Sequence, residues 1–368
     1  MGKIRVLVVD DAVVVRRMVT DVLAADPALE VAGTAANGRI ALAKIPQVNP
    51  DIVTLDVEMP EMNGLETLAA IRKLYPLLPV IMFSTLTERG AATTIDALSL
   101  GANDYVTKPA NVGSVAEALQ CLRDQLVPKV KLWCTRMSRH DTVALRPGAS
   151  FAYLAAPRKG AVQAPLVDAL AIGVSTGGPN ALSALLPQLP GDLPVPTFIV
   201  QHMPPVFTKL LAERLATQSA LKVSEAVPGS EVRPGHVYVA PGDYHMVVKS
   251  EGVAKRIRTN QEPQENSCRP AVDVLFRSVV DVYGPGTLGV ILTGMGQDGL
   301  RGCECIREVG GQILAQDEAS SVVWGMPGFV ARAGLADAVV PLGEVAGEIV
   351  RRVQKGRTNN AGWTTRCT

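Results

Sequence analysis

Ala-Ile-Gly-Val-Ser-Thr-Gly-Gly-Pro-Asn-Ala-Leu, residues 171–182, is the stretch on which the reading of this chain turns. A largely apolar run from Leu166 to Val174 ends at Ser175, and Gly177 and Gly178 follow almost at once. Pro179 suits the first turn of a helix, and Leu182, Leu185, Leu186 and Leu189 recur behind it at helical spacing. The pattern predicts a strand, a sharp turn and a helix. Such a turn presents a serine hydroxyl at the carboxyl end of its strand and aims the free N–H groups of the helix start at the same point. Gly173-x-Ser175-x-Gly177 has the spacing of a nucleophile elbow. The same residues also suit a glycine-rich phosphate-binding loop in which Ser175 only hydrogen-bonds an oxygen, so the rest of the chain has to decide.

Working outward, 368 residues suggest two or three domains, each able to bury a core. A net charge of +1 with 19% charged residues lacks the basic excess of a nucleic-acid binder. Aromatics make up only 4%, so the cores must be built from Val, Leu, Ile and Ala. No apolar run reaches about 18 residues and no leader-like segment precedes the first strand, so the expectation is a cytoplasmic protein without membrane insertion. The six cysteines are scattered without a CxxC pair, which predicts reduced thiols; Cys303-x-Cys305 makes a poor metal site.

Near the start, Ile4–Val9 is an apolar run that ends in Asp10-Asp11. Residues 13–25 show helical spacing, and short apolar runs recur at 31–35, 52–55, 80–83 and 105–106, each followed by a helix-like segment. Five strands alternating with helices predict a parallel sheet covered on both faces, with the chemistry outside the carboxyl ends of its strands. Those ends carry Asp10, Asp11, Asp56, Ser84 and Lys108. Three converging carboxylates repel one another unless a cation lies between them, and oxygen ligands suit Mg²⁺. A carboxylate beside that ion can attack a phosphoryl donor, Lys108 offers a charge to phosphoryl oxygens, and Ser84 can follow the new oxyanion.

Residues 1–125 resemble a response-regulator receiver domain, with Asp10-Asp11, Asp56 followed by Met59-Pro60-x-Met62-x-Gly64, Ser84-Thr85 and Lys108-Pro109. The resemblance implies a flavodoxin-like fold in which Asp56 accepts the phosphoryl group. Asp10 and Asp11 would hold Mg²⁺ together with Asp56, while Lys108 and Ser84 sense the modification. Residues 126–165 read as a basic linker, interrupted by Pro128, Pro147, Pro157 and Pro165; Lys129, Lys131, Arg136, Arg139, Arg146, Arg158 and Lys159 face only Asp141. His140 lies there and is a weak catalytic candidate.

A second α/β domain is expected over 166–353, with a disordered tail over 354–368. Its second strand, 197–201, ends in His202, so an imidazole can reach across to Ser175. Residues 236–248 read as a hairpin around Pro241-Gly242-Asp243, 288–292 as a buried strand running into Thr293–Gly299, 311–317 as the last parallel strand and 342–353 as a closing helix. Ester hydrolysis needs a nucleophile, a base, an orienting group and oxyanion donors. Ser175 supplies the hydroxyl. His202 is the leading base, with His236 and His245 as alternates, and Asp298 the leading carboxylate, with Asp243 as its competitor. Backbone N–H groups near Thr176 and Met295 are the candidate donors. The phosphate-loop alternative lacks a G-x-x-x-x-G-K-[ST] or a complete G-x-G-x-x-G.

This second half resembles the chemotaxis protein-glutamate methylesterases, the CheB family. The likeness rests on Gly173–Pro179, Gln201-His202-Met203-Pro204, Val239–Asp243, Arg269-Pro270-x-Val272-Asp273 and Leu292–Gly299, and the order receiver, linker, esterase belongs to that family too. The resemblance implies a doubly wound methylesterase domain with the triad Ser175, His202 and Asp298 and the Met295 N–H in the oxyanion hole, needing no cofactor. It also implies methylated glutamates, and certain glutamines, of chemoreceptors as substrate and a chemotaxis histidine kinase as phosphodonor. Phosphorylation of Asp56 is expected to uncover the Ser175 cleft. A monomer is the default. Two rivals stand beside this reading. A DNA-binding regulator would need a short basic effector module, which the glycine-rich, near-neutral second half is not. A noncatalytic receptor-binding scaffold is separated only by an activity measurement.

Overall fold

The computed structural model describes residues 2–109, 114–140, 165–355 and 357, without the side chains of 136–140. The remainder of the expected linker and nearly all of the expected tail lie outside the described residues. The chain divides into two compact units at Ala149/Ser150.

In the first unit the elements alternate: β1 (Ile4–Val9), α1 (Val13–Ala24), β2 (Leu29–Ala35), α2 (Gly38–Val48), β3 (Ile52–Asp56), α3 (Gly64–Leu74), β4 (Val80–Ser84), α4 (Glu88–Ser99), β5 (Asp104–Thr107) and α5 (Val115–His140). The strands form one parallel sheet in the order β2-β1-β3-β4-β5, as expected of a flavodoxin-like fold. Strands β3 and β4 are buried along their whole length, which is why they read as unbroken apolar runs. Helix α5 corrects the sequence reading. It runs to His140, through the position at which a linker was expected to start. Leu122, Leu126, Val130 and Cys134, spaced by four, are all buried, and Lys131 reaches Asp26 at 2.6 Å while Lys129 reaches Asp104 at 2.6 Å. Pro128 removes one backbone donor without ending the helix, because this apolar stripe holds both halves against the receiver.

The second unit comprises β6 (Ala169–Val174), α6 (Gly178–Leu185), β7 (Thr197–Gln201), α7 (Phe207–Gln218), β8 (Lys222–Glu225) and β9 (His236–Val239). Then follow β10 (His245–Glu251), β11 (Ala254–Asn260), α8 (Val272–Tyr283), β12 (Thr287–Ile291), α9 (Leu300–Glu308) and β13 (Gln312–Gln316). The unit closes with α10 (Met326–Arg332), β14 (Ala338–Val340) and α11 (Leu342–Gln354). Its parallel sheet has the order β14-β13-β12-β6-β7-β9-β8. From β6 the chain winds first towards β7 and later towards β12, so the topological switch point, where doubly wound folds bind ligands, lies at the carboxyl end of β6. Two local expectations fail. The segment 236–248 is not a hairpin: β9 pairs in parallel with β7 and β8, and the antiparallel partner of β10 is β11. Nor is β13 the last strand, since β14, three half-buried residues too short to stand out as an apolar run, adds beyond it.

Candidate active site

Ser175 follows β6 directly, at the switch point. Its amide donates to the Thr293 carbonyl (3.0 Å), and its own carbonyl accepts from Gly178 N (2.8 Å) and Gln201 Nε2 (3.0 Å). The predicted turn is present. Gly177 adopts φ +78° as the helix cap, a left-handed conformation that a side chain would strain, and Pro179 sits in the first turn of α6. On the other flank, the loop after β12 presses against the serine: a Cβ on Gly294 would stand 2.8 Å from Ser175 Cβ. The Gly294 amide donates to Val323 O and its carbonyl accepts from Gly325 and Met326, so the backbone leading into Met295, whose side chain is exposed, is held on both sides.

His202 directly follows the neighbouring strand, in which Gln201 pairs with Val174. Its Nε2 lies 2.8 Å from Asp298 Oδ2. A carboxylate can only accept, so Nε2 carries the proton and Nδ1 is the basic nitrogen. Asp298 is buried and saturated: Oδ2 also accepts from Val272 N (2.7 Å), and Oδ1 accepts from Asn266 Nδ2 (3.0 Å), Asp273 N (3.1 Å) and Gly299 N (3.0 Å). Burial pushes its pKa up, but the bonds from His202, Val272 and Asp273 outweigh it and the carboxyl stays below its usual range. Burial likewise opposes charge on His202, yet Asp298 and Cys268 prevail and raise its pKa to about 9. Asp273 is the counterpart, raised to about 6 by burial and by the charge of Asp298 against the opposing bond from Gly302 N.

The histidine and the carboxylate are thus brought together as expected. Among the described residues no hydrogen bond joins Ser175 Oγ to His202; the neighbour of Nδ1 is Cys268 Sγ, at 3.7 Å. The alternates fall away. His245 is buried, accepting from Ala271 N at Nδ1 and donating to Pro263 O from Nε2. His236 lies tilted against the Tyr238 ring, and Asp243 is held by Arg269 at 2.6 Å. Sequence reasoning gave no role to Gln201, Asn266, Cys268 or Asp273. Gln201 is buried and ties both strand ends together, donating to the Ser175 and His202 carbonyls. Only its place directly before His202 hinted at this.

In the first unit the ligand oxygens of Asp10, Asp11 and Asp56 lie within 4.8 Å of one another. Lys108 Nζ stands 3.0 Å from Asp10 Oδ2 and 2.8 Å from Asp56 Oδ2, and neither of these buried oxygens accepts any other hydrogen bond. Burial raises the Asp10 carboxyl above its usual range and, with the charge of Asp10, lifts Asp56 to about 6 despite Lys108. Two buried carboxylates beside the exposed Asp11, with Lys108 as the cation bound to both, fit a divalent, oxygen-seeking cation. Ser84, buried at the end of β4, donates to the Thr85 carbonyl (3.2 Å) one strand away from Asp56.

Comparison with known proteins places both units in known families. A profile described as CheB methylesterase matches residues 170–349, and one described as response regulator receiver domain matches residues 6–120. A protein-glutamate methylesterase/protein-glutamine glutaminase of Trichodesmium erythraeum is 55% identical over 356 residues, covering 96% of this chain and 100% of the relative. The chain belongs to the CheB methylesterase family. Its similarity to the equivalent protein of a Nocardioides species is 53% identity over 97% of both chains. The crystal structure of the Thermotoga maritima CheB methylesterase catalytic domain superposes with a TM-score of 0.50 at 41% identity, covering 51% of this chain and 99% of that one. The receiver and methylesterase folds expected from the CheB resemblance are therefore both present. No helix among the described residues is long and apolar enough to cross a membrane.

Proposed function

We propose that this chain is a phosphorylation-activated serine hydrolase that cleaves glutamate methyl esters on chemoreceptors, releasing methanol, and deamidates some glutamine side chains. The observation that carries the reading is the 2.8 Å bond between His202 Nε2 and Asp298, which leaves Nδ1 as a base at the strand end beside Ser175. Nδ1 takes the Ser175 proton as Oγ attacks the ester carbonyl; catalytic bonds of this kind commonly close only around bound substrate. Backbone N–H groups, Met295 among them, receive the oxyanion. The imidazolium returns its proton to the departing methoxide, giving methanol, and a water activated by the same nitrogen then releases glutamate and regenerates the serine.

In the receiver unit, Asp56 attacks the phosphorus of a phosphohistidine on the pathway's kinase to form an acyl phosphate. Asp10, Asp11 and Asp56 are the residues that would hold Mg²⁺, which supplies charge neutralisation at the transferring group. Lys108 orients the phosphoryl oxygens, and Ser84 moves towards the product. A chemoreceptor substrate, a monomeric state and residence in the cytoplasm complete the reading.

One observation favours a second chemistry. The Cys268 thiol, not the Ser175 hydroxyl, adjoins Nδ1, so a thiol nucleophile competes with the serine. Methanol release from methylated receptor membranes decides, measured with and without a small-molecule phosphodonor. Ser175→Ala abolishes hydrolysis and leaves Asp56 phosphorylation intact, and Asp56→Asn abolishes activation. Full activity in Ser175→Ala would refute the assignment.

A further inference from the structure

We infer that Cys268 Sγ and His202 Nδ1 form a binding site for a soft divalent cation, zinc above all, whose occupation blocks the base. The two ligands are held ready. Residues Glu265 and Cys268 close a tight turn by mutual backbone bonds of 2.9 and 3.2 Å, with Asn266 and Ser267 both left-handed (φ 54° and 60°). The Asn266 side chain ties that turn to Asp273 (2.9 Å) and Asp298 (3.0 Å), and Arg277 grips Glu265 through both guanidinium nitrogens. Strained backbone of this kind persists only where its surroundings over-determine it.

The geometry suits the ion. With Zn–N near 2.05 Å and Zn–S near 2.3 Å, the observed Sγ···Nδ1 separation of 3.7 Å closes a triangle with an S–Zn–N angle of about 115°, close to tetrahedral. Asp298 Oδ2 stays on Nε2 as the outer partner that fixes the imidazole and raises its basicity, an arrangement common behind zinc-bound histidines. Both residues are only partly buried, so an ion can enter and water can fill the remaining positions. Thiolate and imidazole select zinc or cadmium over Mg²⁺ or Ca²⁺. On binding, the thiol gives its proton to solvent and Nδ1 must be neutral, so affinity rises with pH. The ion then holds the lone pair that would otherwise accept a proton from the nucleophile.

The inhibitory half of this inference rests on His202 being the base; the binding half does not. Full-length, reduced, chelator-treated protein is titrated with cadmium, read by thiolate-to-metal charge-transfer absorbance, and separately with zinc, read by methanol release. The expected result is one thiolate's worth of absorbance that Cys268→Ala removes and that His202→Ala shifts to about tenfold or higher cadmium concentration. Zinc should also inhibit the parent protein at concentrations at which Cys268→Ala keeps its own zinc-free rate. Identical cadmium spectra for the parent and Cys268→Ala would overturn the site, whatever the rates do. Binding as expected with no loss of hydrolysis would uphold the site and overturn His202 as the base.

Discussion

Asp298→Asn isolates the contribution of the buried carboxylate. The substitution preserves shape but leaves one acceptor oxygen where two now accept from five donors. Three of those donors converge on Oδ1, so the asparagine oxygen stays there and its NH₂ faces His202. An NH₂ can only donate, which forces the proton from Nε2 to Nδ1 and removes the base from the side on which it is needed. Asp298 and Cys268 together lift the His202 pKa from 6.5 to about 9 against burial. The part of that preference for the imidazolium owed to Asp298, which would stabilise the transition state, is lost with the carboxylate, while the Cys268 part stays. With the tautomer also wrong, the expected loss in kcat is about 10³-fold. Stability should fall much less. The Val272 amide loses its acceptor, at a cost of about 1–3 kcal/mol, and Asp273 is relieved of a neighbouring charge, which offsets part of it. Methanol release and thermal unfolding are measured on the same preparation. A folded Asp298→Asn protein within tenfold of the parent rate would refute the reasoning.

Hydrolysis should climb with pH through the neutral range and level off near 9, because Nδ1 accepts a proton only as the neutral imidazole. Cys268→Ala removes one of the contacts that raise this pKa and should move the midpoint down; an unmoved midpoint in kcat/KM against pH would count against the contact. The same raised pKa is a stability statement of fixed sign: its contribution is full below about 6.5 and is lost as pH rises through about 9, as denaturant melts across that range would show. Leu126→Ala, at a fully buried position of α5, should destabilise the receiver unit by about 2–5 kcal/mol, whereas a linker residue would change its unfolding by less than about 0.5 kcal/mol. In Gly178→Ala the new Cβ would stand 1.9 Å from Gln201 Oε1 and displace the side chain that ties Ser175 to His202. The expected cost is about 1–3 kcal/mol with a larger proportional loss of hydrolysis, and unchanged melting and turnover would contradict it.

Strand ends were the legible part of this molecule. Asp10, Asp56, Ser84, Ser175, His202 and Asp298 each close or closely follow a buried apolar run, and parallel sheets gather such ends on one edge. Less legible were elements whose stability comes from a distant partner. Of the four residues of β8 only Val223 is buried, so it shows no apolar run, and β10 reveals its pairing with β11 only through the fold. The prolines from Pro128 onward led the sequence reading to start a linker at residue 126, although the spacing 122, 126, 130, 134 runs through that point. Cys268 had no local signal, since it meets His202 across 66 residues of sequence through a turn that Asn266 pins from the side.

The measurement that tests the assignment of the nucleophile most directly is covalent labelling with a serine-reactive fluorophosphonate, mapped by mass spectrometry of the digested full-length protein. The expected result is a single adduct on Ser175 that fails to form in His202→Ala. An adduct on Cys268 instead, or labelling of Ser175 that persists undiminished without His202, would contradict the proposal that this imidazole activates that hydroxyl.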